Sequence, residues 1–151
     1  MTIQILTTKE KETEKLGEIL GKVLKNFHFN KKSLVFALEG DLGGGKTTFV
    51  RGVARGLGIK EKIISPSFVI WRKFEIPSQK SFQFLYHFDL YRLKEKEIQS
   101  LKLKELFSQK KTLFFIEWAG KGKKFLPKNK IWIFFTFKGK NKREIKIILE
   151  K

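Results

Sequence analysis

Residues 33–58 read SLVFALEGDLGGGKTTFVRGVARGLG. The run Ser33 to Glu39 is short and mostly apolar, which is typical of a strand buried on both faces. A glycine-rich turn follows at once, and from Lys46 apolar residues recur at helical spacing until Gly56 and Gly58. A strand, a glycine loop and a helix in this order predict a phosphate-binding loop, or P-loop.

The turn matches the pattern G-x-x-x-x-G-K-[ST] from Gly40 to Thr47. Its glycines let backbone N–H groups approach a phosphate without a Cβ in the way, and the next helix directs its positive end at the same anion. A turn that only joins strand to helix would leave Lys46 beside a helix N-terminus, where a cation is unfavourable unless an anion binds. We expect Lys46 to neutralise the β and γ phosphates of ATP and the Thr47 hydroxyl to ligate Mg²⁺. The predicted nucleotide-binding residues are Asp41, Leu42, Gly43, Gly44, Gly45, Lys46, Thr47 and Thr48.

Hydrolysis also needs carboxylates that position metal and water, and these usually follow core strands. Asp89 comes after the apolar run FQFLYHF, and Glu117 ends the run TLFFIE. At the carboxyl ends of strands they would face the ligand-binding edge of a sheet. Each could instead be a strand end that faces solvent, so both are candidate catalytic residues.

Four further side chains have a functional and a plain interpretation. Ser67 is the last residue of a Ser-Pro-Ser loop. Its hydroxyl could contact a γ-phosphate or the bound metal, as in a switch segment, or the loop could be an ordinary turn. His87 could act as a base, but a structural hydrogen-bonding role is expected. Arg92 could contact a phosphate or pair with an acidic neighbour, and Trp118 could lie beside the nucleotide, although the core is the expected place.

The rest of the chain predicts helices and hairpins around this motif. We expect a strand at Thr2 to Leu6 and a helix at Lys94 to Phe107. Thr7 or Thr8 should cap another helix, whose apolar stripe packs on the sheet and consists of Leu16, Ile19, Leu20, Val23, Leu24 and Phe27. The first predicted hairpin pairs Phe68 to Ile76 with Phe82 to Phe88 through a turn at Pro77 to Lys80. The second pairs Ile131 to Phe137 with Glu144 to Leu149 through a turn at Gly139 to Asn141. Between the two hairpins, Thr112 to Glu117 is predicted to be another strand. The fold class is therefore α/β: a P-loop NTPase-like domain whose mixed sheet has a parallel core, supplied by the early part of the chain, with antiparallel hairpins and flanking helices.

Composition limits the class of protein. A chain of 151 residues is the size of one domain, so we expect residues 1–151 to form a single P-loop ATPase domain. It has no Cys, no signal-peptide pattern and no apolar run near the length of about eighteen residues that spans a membrane, so we expect a soluble, cytoplasmic protein. The net charge of +18 suggests a polyanion such as RNA, but 28 of the 33 basic residues are Lys spread over the chain, as a genome-wide bias would also produce.

Five segments occur in an order that resembles one family. Thr13 with Leu16 and Gly17, then GDLGGGKTTFVRG, SPSF, HFDLYR and IEW, are similar to the TsaE (YjeE) family over roughly residues 7–118. The resemblance implies a Mg-dependent ATPase that supports TsaB and TsaD in the synthesis of threonylcarbamoyladenosine in tRNA.

The resemblance also implies roles for single residues. Gly45, Lys46 and Thr47 would bind phosphate and Mg²⁺, Asp89 would be a catalytic carboxylate, and Glu117 would support the metal. Ser67 falls at the switch hydroxyl, where the family usually has Thr. The predicted metal ligands are therefore Thr47, Ser67 and Glu117. The segment after Trp118 departs from the family pattern, and Gly44 stands where Ala is common.

Two other functions remain open from the sequence. A small-molecule kinase would share the phosphate loop, although it usually needs additional arginines and the chain has only five. A basic RNA-binding module with a vestigial nucleotide site would use the Lys-rich surface. In the favoured interpretation, the protein acts on tRNA indirectly or contacts it through that same surface.

Overall fold

The structure, a computed structural model, describes residues 1–28, 33–41, 43, 45–65, 69–77 and 81–149. Within these residues, seven strands form one sheet in the order β1-β7-β6-β2-β5-β4-β3. The strands are β1 (Thr2–Thr7), β2 (Ser33–Gly40), β3 (Trp71–Glu75), β4 (Phe84–Asp89), β5 (Thr112–Glu117), β6 (Ile131–Gly139) and β7 (Lys142–Leu149). The helices are α1 (Glu10–Lys25), α2 (Lys46–Gly56), α3 (Glu95–Ser100) and α4 (Leu103–Leu106), with a 3₁₀ segment at Ala119–Phe125.

The sheet has a parallel centre and antiparallel edges. Strand β2 pairs in parallel with both β5 and β6, and β4 pairs in parallel with β5. The edges are antiparallel, with β3 on β4, β7 on β6 and β1 on β7. The predicted mixed α/β fold is confirmed. The prediction that the early part supplies the parallel core was wrong, because three of the four parallel strands follow residue 83.

Helices cover both faces of the sheet because its central strands are apolar on both sides. Along β2, Phe36 and Leu38 face the cluster that contains α1 and α2, whereas Val35 and Ala37 face the cluster with α3, α4 and the 3₁₀ segment. Residues that alternate along a strand point to opposite faces. The carboxyl ends of the parallel strands thus emerge between two layers of helix, and the phosphate loop lies at that edge.

Helix α1 packs on α2 through glycines. A Cβ added to Gly17 would lie 2.1 Å from the Phe49 carbonyl oxygen, and one added to Gly52 would lie 2.0 Å from the Glu14 carbonyl oxygen. No larger residue fits at this separation, so the two backbones are in direct contact. The packing ties α1 to the helix that follows the phosphate loop.

Two expectations for α1 were wrong. Its N-cap is Lys9, without a side-chain cap, and Thr8 instead donates its N–H and hydroxyl to Glu12. The apolar stripe also divides: Leu16, Leu20 and Leu24 pack against the core, but Ile19 and Val23 are 50% and 56% exposed. Gly17 and Gly21 occupy part of the buried face because α2 lies there.

The predicted helix from Lys94 to Phe107 is two short helices. Lys102 separates α3 from α4 with a left-handed backbone, φ 53°. Apolar spacing alone does not reveal such a break, because Ile98 and Leu103 remain buried on either side of it.

The predicted hairpins are confirmed within the described residues. Trp71 pairs with Phe88, and Gly139 pairs with Lys142 at the second turn. Phe68 and most of the predicted turn at Pro77 to Lys80 lie outside the described residues. No described helix is long and apolar enough to cross a membrane.

Candidate nucleotide-binding site

The glycine loop joins β2 to α2 at the carboxyl edge of the parallel strands. Gly43 and Gly45 adopt φ of 74° and 102°, a region that other residues rarely enter. Gly45 precedes α2 directly, and the first turn of α2 contains no acidic residue or side-chain cap. An anion can therefore approach the positive end of the helix. Leu42 and Gly44, both predicted to bind nucleotide, lie outside the described residues.

Lys46 lies folded back over the loop. Its side chain is buried, and Nζ donates to the carbonyl oxygens of Gly40 at 2.5 Å and Asp41 at 3.0 Å. The same ammonium lies 4.3 Å from the ring centroid of Trp118, a cation–π contact. Trp118 is half-buried against the core, so it serves the core as expected and also reaches the loop.

Burial lowers the pKa of Lys46 because it penalises the charged ammonium. The carboxylates of Glu117 and Glu39, followed by those of Asp89 and Asp41, oppose this shift. The lysine is thus a poorly solvated cation with anions on several sides. A phosphate placed on the loop would stabilise its charge.

The two candidate carboxylates are buried at neighbouring strand ends. Asp89 ends β4 and Glu117 ends β5, with relative exposures of 6% and 3%. The alternative that they are solvated strand ends is therefore wrong. The Glu117 carboxylate accepts from the Thr47 hydroxyl, at 3.0 Å to Oε1 and 2.9 Å to Oε2, and meets His87 Nε2 at 2.5 Å through Oε2. These contacts connect the last residue of β5 to the first turn of α2.

Asp89 contacts different groups. Its Oδ1 accepts the backbone N–H of Tyr91 at 2.9 Å, and its Oδ2 accepts the Ser65 hydroxyl at 3.2 Å. Ser65 begins the predicted hydroxyl loop, whereas Ser67, the predicted metal ligand in that loop, lies outside the described residues.

A cavity of about 260 Å³ opens beside the loop, on the side of β7. Arg143 closes one wall: its Nη2 donates to the Gly43 carbonyl at 3.0 Å while its guanidinium lies 3.7 Å from the centre of the Phe137 ring. On another wall the Thr48 hydroxyl donates to Glu10 at 3.4 Å. The cavity is lined by Glu10, Thr13, Gly43, Gly45, Thr48, Asn141 and Arg143.

Sequence reasoning missed Glu10, Asn141 and Arg143 as site residues. Asn141 and Arg143 reach the loop because β6 pairs in parallel with β2, which brings the β6–β7 turn beside the glycines. Strand order is not visible in local patterns. A polar turn between the last two predicted strands was the signal available, and it indicated only a hairpin.

The described donors suit a magnesium ion bound together with a nucleotide. Among the residues the structure describes, no group of three or more His, Cys, Asp and Glu side chains could hold a metal alone. Mg²⁺ in phosphoryl-transfer sites needs no such group, since phosphate and water oxygens supply most of its ligands. Hydroxyl and carboxylate oxygens such as those of Thr47 and Glu117 are of the required kind.

Comparisons with known proteins agree with one another. A family model described as "Threonylcarbamoyl adenosine biosynthesis protein TsaE" matches residues 7–145. The chain is 32% identical over 120 residues to the tRNA threonylcarbamoyladenosine biosynthesis protein TsaE of Haemophilus influenzae, covering 79% of this chain and 72% of the relative. It is 39% identical to the TsaE protein of Bacillus subtilis, covering 78% and 70%. The crystal structure of YdiB from Bacillus subtilis matches with a TM-score of 0.77 and 30% identity, over 100% of this chain and 87% of that one.

Proposed function

The chain belongs to the TsaE family, and on that basis we propose that it binds and hydrolyses Mg-ATP in support of tRNA threonylcarbamoyladenosine synthesis. Its relatives are named for that pathway. We further propose that residues 1–151 act as one ATPase domain, in the cytoplasm, together with the TsaB and TsaD counterparts.

One observation carries the ATPase proposal: a lysine and a hydroxyl on the first turn of α2 face two buried strand-end carboxylates. Lys46 lies over the loop, and Thr47 contacts Glu117 within 3.0 Å. A loop that only bound phosphate would not need buried carboxylates opposite it, since burying them costs free energy unless they are paired. The arrangement suits phosphoryl transfer to water.

The contacts of the two carboxylates favour a division of roles. Glu117 is held by Thr47 and His87, so it suits support of the metal. Asp89 is linked to Ser65, the first residue of the predicted switch loop, so it suits orientation of the attacking water. Mg²⁺, when bound with the nucleotide, would offset the phosphate charge.

The remaining parts of the site would bind and orient ATP. Backbone N–H groups of the loop and the Lys46 ammonium would hold the β and γ phosphates. The cavity that Arg143 closes would take the nucleoside, since Thr48 on its wall follows the predicted phosphate and metal ligands directly. This placement makes the nucleotide bridge α2 and the β6–β7 turn.

Family membership weighs against the small-molecule kinase. The buried contacts between Thr47 and Glu117 weigh against a vestigial site, because a site without function would not be expected to keep a desolvated carboxylate beside a hydroxyl. Contact with tRNA, either indirect or through the basic surface, stays part of the proposal.

The test is Mg-dependent ATP hydrolysis by the purified chain, alone and with its TsaB and TsaD counterparts. Lys46→Ala is the control, because it removes the ammonium that would hold the phosphates. We expect hydrolysis that the partners stimulate and that the variant loses. Phosphate transfer to a metabolite instead of water would indicate a kinase, and salt-sensitive tRNA binding without any hydrolysis would indicate the RNA-binding alternative.

A further inference from the structure

His87 is a fully buried histidine whose two ring nitrogens have different surroundings. Its relative exposure is 0%, and Nε2 lies 2.5 Å from Glu117 Oε2. Nδ1 is buried and has no hydrogen-bond partner within the described part of the chain. A buried polar atom without a partner is costly, so an apolar side chain would be the more stable choice if His87 only filled space.

The contacts define which nitrogen carries the proton. The Glu117 carboxylate accepts the Thr47 hydroxyl through both oxygens, so it acts as an acceptor at this site. Nε2 must then be the donor toward Oε2. Nδ1 has no partner among the described residues, so the Nε2–H is the ring contact that the structure uses.

Sheet register explains why this histidine meets this glutamate. His87 pairs with Phe115 on the adjacent parallel strand, and Glu117 follows two residues later. Residues two apart share a face of the sheet, so His87 and Glu117 both project toward the face that carries α2. Thr47 lies in the first turn of that helix. The three side chains thus form a continuous chain from β4 through β5 to α2.

We propose that His87 is a positioning residue for the metal–nucleotide site: its Nε2–H holds Glu117 in the orientation that meets the Thr47 hydroxyl. The inference rests on the proposed function, since it concerns the same site. Carboxylates that support a metal are themselves oriented by hydrogen bonds, and loss of such a partner typically weakens metal affinity about 10- to 100-fold. His87 would contribute through Glu117 and would not touch the nucleotide.

A matched pair of variants separates orientation from packing. His87→Gln places an amide N–H donor near the position of Nε2, whereas His87→Met has similar length and no donor. The measurement is binding of a fluorescent ADP analogue with Mg²⁺ and with EDTA, together with the melting temperature. We expect all three proteins to bind alike in EDTA. The increase in affinity that Mg²⁺ produces should be about tenfold smaller in His87→Met than in wild type. In His87→Gln this increase should stay within about threefold of the wild-type value.

Several outcomes would overturn this role. If His87→Met keeps the wild-type gain from Mg²⁺, or if both variants lose it equally, His87 does not orient Glu117 by donating a hydrogen bond. A wild-type protein whose nucleotide binding is indifferent to Mg²⁺ would instead remove the proposed function, and the inference with it.

The unmodified protein offers a test that does not depend on folding of a variant. The chain has two histidines, and His28 is exposed, so ¹⁵N spectra of the imidazole rings contain an internal control. We expect a proton on His87 Nε2, hydrogen-bonded to Glu117, and we expect the His87 signals to shift when Mg-ADP is added to the nucleotide-free protein while those of His28 stay unchanged. A ring without a proton on Nε2, or signals that Mg-ADP leaves unmoved, would contradict the proposal.

Discussion

Asp89 and Glu117 are direct register partners on adjacent parallel strands, β4 and β5, yet their side chains contact different parts of the molecule. Glu117 contacts Thr47 in the first turn of α2, and Asp89 contacts Ser65 in the loop that leads to β3. The strand pair β4–β5 therefore contacts the helix that follows the phosphate loop through Glu117 and the candidate switch loop through Asp89.

This division predicts that Asp89→Asn separates binding from hydrolysis. Asparagine keeps an oxygen for the Tyr91 N–H and has nearly the same shape, but it cannot take a proton from water. We expect ATP affinity within about threefold of wild type and a rate of hydrolysis at least about 100-fold lower, in the range that loss of a general base usually costs. Equal turnover by Asp89→Asn and wild type, measured as phosphate release at saturating ATP, would remove Asp89 from the mechanism.

The contact between Arg143 and the glycine loop predicts that this residue contributes to nucleotide affinity, although it is distant from the loop in sequence. Arg143→Met should weaken ATP binding about 5- to 20-fold, because it removes the cation and the bond to the Gly43 carbonyl from the wall of the cavity. The matched control is Arg72→Met, an exposed arginine on β3 at the other edge of the sheet. The two changes alter net charge equally, so isothermal titration should find the loss only in the first. Equal loss in both would indicate general electrostatic attraction.

Local features made much of the fold and the candidate site predictable. The glycine loop, the strand that leads into it, the strand that ends at Glu117, and both hairpins are indicated by residue types within a few positions. A phosphate loop is built from one continuous segment, which is why its residues could be named together. The two carboxylates were found because each stands at the end of an apolar strand.

Features that depend on strand order or on a partner element were not predictable. Arg143 reaches the loop only because β6 lies beside β2, and His87 meets Glu117 only because β4 lies beside β5. Ile19 belongs to the predicted apolar stripe of α1 but is exposed. Helical spacing indicates an apolar face and does not show which part of that face another helix covers. Tertiary contacts between distant segments carry this information.

The glycine contact between α1 and α2 predicts a large effect from a small change. Gly52→Ala would place a methyl group 2.0 Å from the Glu14 carbonyl oxygen, so the helices would have to separate. We expect a loss of about 3 kcal/mol in the free energy of unfolding, at the upper end for overpacking. Ile19→Ala, at a half-exposed position on α1, should change it by less than about 0.5 kcal/mol. Urea unfolding curves that cannot distinguish Gly52→Ala from wild type would mean that α1 and α2 do not pack this closely.

The burial of Lys46 predicts that this residue destabilises the nucleotide-free fold although nucleotide binding needs it. Burial lowers its pKa in the folded protein, so folding favours the neutral amine, and the charged form costs stability at every pH below the folded pKa. Lys46→Met removes that cost while keeping an apolar chain of similar size. We therefore expect the nucleotide-free variant to be about 1 kcal/mol more stable than wild type at neutral pH, although it binds no nucleotide.

The pH dependence gives this last prediction its test. As pH rises through the folded pKa of Lys46 toward the ordinary lysine value, wild type loses the cost of the buried charge and the advantage of Lys46→Met should shrink. Lys11→Met, an exposed lysine on α1, should show neither the advantage nor its pH dependence, which corrects for the titration of the other lysines. Chemical unfolding of the three proteins at neutral and alkaline pH provides the comparison. A Lys46→Met variant less stable than wild type at neutral pH would mean that the two loop carbonyls and the Trp118 ring compensate fully for burial of the ammonium. In that case the loop would be organised around its lysine before any phosphate binds.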